Sequence, residues 1–110
     1  RSTLFPYTTL FRSDFASVPV IPEARTYLEL GAYPDGSFRN WKAYAEKVEG
    51  ATSMERMMLL SDPQTSGGLL IASRAGEVDE VAAICARHGQ QALVFGALGT
   101  YSEGARIVVR

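Results

Sequence analysis

Leu69–Val109, LLIASRAGEVDEVAAICARHGQQALVFGALGTYSEGARIVV, carries the alternation of elements from which the fold class follows. Glu77–His88 in its middle is the clearest helix of the chain, because Val78, Val81, Ala82 and Cys85 form one apolar stripe that Ile84 widens. Glu77, Asp79 and Glu80 occupy the first turn, and Arg87 and His88 the last, as the helix dipole favours. Gly89 stands where a left-handed C-terminal residue is wanted. Leu69–Ala72 is a continuous apolar run of strand length, and Leu93–Leu98 and Arg106–Val109 are β-rich. Gly99–Gly104 between the last two is long enough for a hairpin-like return. Strand, helix, strand, strand predicts an α/β (α+β) domain, a β-sheet covered by helices on at least one face, with no internal repeat.

Outward toward the N-terminus the elements are shorter. Asp14–Ile21 reads as a strand that feeds a helix at Pro22. In Pro22–Leu30, Ala24, Tyr27 and Leu28 share a face, and Gly31 supplies the left-handed end. Tyr33–Ser37 (YPDGS) reads as a turn, and Phe38-Arg39-Asn40 leads out of it. Trp41, Tyr44 and Val48 then recur at helical spacing before Gly50. Thr52-Ser53-Met54-Glu55 fits a capping box with Thr52 as the cap, starting a helix that carries Met54, Met57 and Met58 inward and stops near Ser61. Asp62, before Pro63, is biased away from helix, so Asp62–Gly68 is a loop or extended turn.

The first 13 residues, Arg1–Ser13 (RSTLFPYTTLFRS), resemble the translation of a widely used sequencing adapter. They are expected to stay outside the fold, as an expression scar would. Setting them aside removes two of the 11 basic residues and none of the 12 acidic ones, so the formal charge moves from -1 to -3. Asp14–Arg110 is one small domain at most. A slightly acidic balance without runs of like charge argues against a nucleic-acid surface or a polybasic membrane anchor. No apolar stretch approaches the roughly 18–20 residues of a spanning helix, and the chain reads as soluble. The single cysteine, Cys85, excludes an internal disulfide and any multi-cysteine zinc site and is compatible with a reducing cytoplasm.

Asp62-Pro63-Gln64-Thr65-Ser66-Gly67-Gly68 is the dense polar constellation of the chain. Two hydroxyls and two glycines suit a concavity for an anion, because glycine lets the main chain approach a ligand closely. The run precedes a strand rather than a helix and has no lysine, so it is not a P-loop. On the residues alone, a tight turn into a buried strand is the favoured reading over a ligand loop. Arg39 and Asn40 suit holding an anion or capping a neighbouring element. Cys85 on an apolar helix face reads as a core residue, and His88 at a helix end as a dipole-compensating group. The methionines read as core filler and Glu55 as a capping group.

Leu60–Ile71 (LSDPQTSGGLLI) closely resembles the C-terminal signature of the selenophosphate synthetase family, the selenide, water dikinases. Val18–Ala24 (VPVIPEA) is similar to that family's Val-Pro-hydrophobic-Pro entry, and Pro34–Asn40 (PDGSFRN) to its Pro-Gly-Gly-Thr-x-Arg-Asn turn, with Asp35 in place of a commoner glycine. Phe95-Gly96-Ala97-Leu98 resembles its Ile-Gly-x-hydrophobic strand, so the likeness runs through Asp14–Arg110. The resemblance implies the C-terminal α/β domain of the superfamily that includes aminoimidazole ribonucleotide synthetase, with a mixed β-sheet flanked by helices. It implies a parent enzyme that uses ATP, Mg2+ and selenide to make selenophosphate, AMP and phosphate in the cytoplasm, as a homodimer.

The family's reactive cysteine or selenocysteine, its neighbouring lysine and its magnesium-binding aspartates belong upstream of Asp14. No catalytic or metal-binding residue is therefore carried onto this chain, and Cys85 does not match the catalytic position. Thr65, Ser66, Gly67 and Gly68, with Arg39 and Asn40, are expected to face a cleft shared with a missing N-terminal ATP-binding domain. The piece alone is expected to be inactive and to bind neither ATP nor Mg2+ tightly. Two other readings stand beside this one: a hydrogenase-maturation or thiamine-phosphate kinase relative from the same superfamily, or a non-catalytic binding or dimerisation module.

Overall fold

The computed structural model describes residues 9–110. Its centre is a mixed four-stranded sheet of order β2-β4-β1-β3, built from β1 (Thr9–Ser13), β2 (Val48–Glu49), β3 (Gly96–Thr100) and β4 (Ile107–Val109). β1 runs antiparallel to β3, with Leu10 opposite Gly99 and Ser13 opposite Gly96, and parallel to β4, with Phe11 opposite Ile107. β2 runs parallel to β4. Four helices complete the α/β fold: α1 (Pro22–Glu29), α2 (Asp35–Tyr44), α3 (Met54–Leu60) and α4 (Val78–Arg87).

The core forms where chain ends and helices converge on β4. Phe15, Ala51 and Val109 are buried together, and Trp41 of α2, Val48 of β2, Leu59 of α3 and Ile107 of β4 pack against them. Burying these side chains is the main favourable term. Backbone bonds lock the same corner: Phe15 N–H donates to Arg110 O at 2.8 Å, and Arg110 N–H to Ser13 O at 2.9 Å. The guanidinium groups of Arg25 and Arg56 lie 5.4 and 5.1 Å from the Phe15 ring centroid, where the ring quadrupole attracts a cation.

Two helices follow the sequence closely. α1 has Pro22 in its first turn and ends before Gly31, at φ +75. α4 has Asp79 and Glu80 in its first turn, Arg87 in its last, and Gly89 at φ +70. Its stripe residues Val78, Val81, Ala82 and Cys85 are only half-buried.

Elsewhere the structure departs from the local reading. Thr9–Ser13, expected outside the fold, form β1 at the middle of the sheet, because they offer two flanking strands a full set of backbone partners. Residues 1–8 of that segment lie outside the described residues. Asp14–Ile21 is not a strand; it contains the 3₁₀ turn Phe15–Ser17, with the Ser17 hydroxyl bonded to the Asp14 carboxylate. Arg39 and Asn40 lie within a helix rather than after a turn, since Pro34 takes the N-cap position and Asp35 opens α2. The cap of α3 is Ser53, not Thr52: its hydroxyl accepts from Arg56 N–H at 3.2 Å. Glu55 pairs with Arg25 of α1 instead of closing a capping box. Met58 is buried, whereas Met54 is exposed.

The largest departure concerns Leu69–Ala72, which forms no strand and is exposed, although strand length and apolar character both favour pairing. Leu93–Phe95 is likewise outside any strand, although Phe95 O accepts from Asp14 N–H at 2.7 Å, and β3 starts at Gly96. The return between β3 and β4 is an opened hairpin whose antiparallel arms are held apart by β1. Its tip is ordered by Tyr101, whose hydroxyl donates to Gly104 O at 3.0 Å, and by the Arg106 guanidinium 4.0 Å from the Tyr101 ring centroid.

Candidate functional site

Two motifs singled out in the sequence, Pro34–Asn40 and Asp62–Gly68, meet in the structure. Making Asp35–Tyr44 helical puts Gly36 and Asn40 four residues apart on one face of α2. That face receives the segment leaving α3. Asn40 donates through Nδ2 to Ser61 O at 3.0 Å. Gly36 lies directly against Pro63: a Cβ at position 36 would stand 2.8 Å from Pro63 Cγ. A side chain there would push the loop away, so glycine sets where the loop begins.

Beyond Pro63 the loop is tied mainly to itself. Gln64 folds back over Gly67, and a Cβ on residue 67 would lie 2.1 Å from Gln64 Oε1. Thr65, Ser66, Gly67 and Gly68 are all exposed, so their hydroxyls and main chain are accessible to solvent. Asn40 thus sits at the loop's root and is half-buried, while Arg39 is exposed on α2. Among the described residues no hydrogen bond joins Arg39 to the loop.

Two open depressions lie elsewhere, one lined by Ala72, Ser73, Arg74, Glu77 and Leu98, the other by residues around Arg12, Phe95 and Arg110. Neither includes Thr65–Gly68. Among the described residues no group of three His, Cys, Asp or Glu side chains gathers where a metal ion could be held. The geometry offers an exposed, glycine-containing polar loop anchored on one helix, able to present donors to an anion from one side.

One structural feature escaped the sequence reading: the contact of Gly36 with Pro63, which makes the two motifs one unit. Glycine three residues before an Arg-Asn pair was the available signal, but it reads equally well as a turn residue.

Comparison with known proteins gives this unit a context. Over 94 residues, 86% of the chain, the sequence is 39% identical to a selenide, water dikinase of Photorhabdus laumondii, covering 27% of that protein. This chain is a relative of the selenide, water dikinases. The selenide, water dikinase of a Shewanella species is 36% identical over 96 residues, 87% of the chain and 27% of the relative. That of Photobacterium profundum is 42% identical over 87 residues, 77% of the chain and 25% of the relative. The chain spans about a quarter of the length of the curated selenide, water dikinases it matches. No family model matches it. The resemblance read from Leu60–Ile71 and its flanking motifs is borne out. No helix among the described residues is long and apolar enough to cross a membrane.

Proposed function

We propose that this chain is the C-terminal part of a selenide, water dikinase, which makes selenophosphate, AMP and phosphate from selenide, ATP and water. The observation that carries the reading is 36–42% identity to enzymes of that name, over a length that is about a quarter of theirs. The role assigned to this part is to wall the reaction cleft. Thr65, Ser66, Gly67 and Gly68 present hydroxyl and backbone donors, Asn40 holds the loop's root, and Arg39 adds a positive charge beside it. The reactive cysteine or selenocysteine, the lysine and the residues that hold Mg2+ and ATP reside in the remainder of the parent, a cytoplasmic homodimer.

Phosphoryl transfer is driven by positioning and by cancelling charge on the transferred group. The gathered residues here include no cluster of acidic side chains for a metal ion, so no magnesium-dependent step is assigned to this part. A wall of hydroxyls and amides excludes water and orients an anion. It does not supply the metal-borne charge that the reaction needs, and the part alone is inactive.

The test has two arms, both read by phosphorus NMR with selenide, ATP and Mg2+. The purified chain is expected to give no selenophosphate, and its formation by the chain alone would sink the assignment of chemistry to the remainder. A chimera in which Asp14–Arg110 replaces the matched quarter of the Photorhabdus enzyme is expected to make selenophosphate. A folded but inactive chimera overturns the family function.

A further inference from the structure

The slot between β3 and β4 is defined by what it demands of the strand that fills it. The strand must be five residues long, antiparallel to β3 and parallel to β4. It must accept close approach by glycine, since a Cβ at Gly96 would stand 2.5 Å from Arg12 O, and one at Gly99 would stand 2.9 Å from Arg12 Nη1. Two of its side chains, Leu10 and Ser13, are buried, while Thr9 and Phe11 are half-buried and Arg12 is exposed.

Leu69-Leu70-Ile71-Ala72-Ser73 meets the same demands at the same spacing. Laid on Thr9-Leu10-Phe11-Arg12-Ser13, it matches at Leu70 and Ser73, and these two identities fall on the two buried positions. Ile71 replaces a half-buried phenylalanine, Leu69 a threonine, and Ala72 the exposed arginine. The two segments also continue alike. Ser13 is followed by one residue and the 3₁₀ turn Phe15–Ser17; Ser73 is followed by one residue and the 3₁₀ turn Ala75–Glu77. The chain after Ser73 then continues through α4 to Gly96, the residue paired with Ser13.

Leu69–Ile71 is meanwhile exposed to an extent unusual for three consecutive large aliphatics, at 90%, 62% and 50%. We propose that the slot between β3 and β4 is a strand acceptor with two occupants in this one chain, and that Leu69–Ser73 takes it when Thr9–Ser13 is withdrawn. Backbone pairing is conserved by the exchange, because both segments present the same alternation of N–H and C=O groups. Both faces become more apolar, because Leu69 takes the place of Thr9 on one and Ala72 the place of Arg12 on the other. The cost is the edge-to-face contact between Phe11 and Phe95, at 6.0 Å between ring centroids.

Phe11→Pro in the full chain ejects β1, since it removes the N–H that donates to Arg106 O at 2.9 Å and breaks the central ladder. Amide hydrogen exchange is then followed at Leu70–Ser73, Gly96–Thr100 and Ile107–Val109. The expected result is retained protection in β3 and β4 and a gain of at least about tenfold at Leu70–Ile71. Adding Ile71→Pro to Phe11→Pro is expected to abolish protection throughout the sheet, whereas Ile71→Pro alone leaves it unchanged. Loss of protection in β3 and β4 on Phe11→Pro alone overturns the proposal. So does a protected sheet in which Leu70 and Ile71 still exchange freely.

Discussion

Asn40 donates through Nδ2 to the carbonyl of Ser61 at 3.0 Å, tying the middle of α2 to the residue that ends α3. The bond is half-buried, so its loss leaves a carbonyl with reduced access to water. Asn40→Ala is expected to cost about 1 kcal/mol in urea unfolding. Asn40→Asp keeps the shape but turns a donor into an acceptor facing another acceptor, and is expected to cost more than the alanine. If the aspartate variant is as stable as the parent, the amide does not hold the loop.

Gly36 makes the second tie, and it reverses a general preference. Alanine is favoured over glycine inside a helix by about 1 kcal/mol. At position 36 the new Cβ would meet Pro63 Cγ at 2.8 Å and Cβ at 2.9 Å, and a proline ring yields little. Gly36→Ala is therefore expected to destabilise by about 1 kcal/mol, and to stabilise by a similar amount in a Pro63→Gly background, which removes both contact atoms. Equal effects in both backgrounds would show that the two residues do not touch in solution.

These two contacts mark where local reading stops. α1 and α4 were legible because their signals lie inside them: Pro22 and Gly31 for one, the acidic first turn and Gly89 for the other. Pro34-Asp35-Gly36-Ser37 satisfies a turn and a helix start alike, and Pro63, far along the chain, is what Gly36 packs against. Glu55 is drawn from its capping role by Arg25, thirty residues away. Strand pairing is non-local throughout. Leu69–Ala72 reads as a strand by every local criterion, yet a strand needs a partner that only the tertiary fold supplies, and β1 fills the slot between β3 and β4. The candidate site followed the same division. Its residues were visible as a polar, glycine-rich run, whereas its attachment to α2 was not.

Gly50 is the position where backbone and packing both require glycine. It sits at φ +89, and a Cβ there would lie 1.9 Å from Val109 O. Its own carbonyl accepts from Arg56 Nη1 at 2.9 Å, so the chain has little freedom to rotate away. Gly50→Ala is expected to cost about 3 kcal/mol, with a matching fall in Tm. A cost under about 1 kcal/mol would mean that β2 and Val109 are not packed as described.

The cap of α3 separates two adjacent hydroxyl residues. Ser53 accepts from Arg56 N–H, satisfying one of the unpaired donors of the first turn. Ser53→Ala is expected to cost about 1 kcal/mol, while Thr52→Ala, at an exposed residue before the cap, stays within about 0.5 kcal/mol. The reverse ranking in thermal unfolding would move the helix start back to Thr52.

Met58 and Leu69 are large apolar residues with opposite expected weights. Met58 is 3% exposed, and truncation there leaves a cavity among side chains that relax only in part. Met58→Ala is expected to lower stability by about 2–4 kcal/mol. Leu69, at 90% exposure, has almost no packing to lose, so Leu69→Ala changes stability by less than about 0.5 kcal/mol while β1 occupies the sheet. In the Phe11→Pro chain Leu69 enters the sheet on the proposed exchange, and the same substitution then costs about 1–2 kcal/mol. A Leu69→Ala effect that is equal in the two chains would place residue 69 outside the sheet in both.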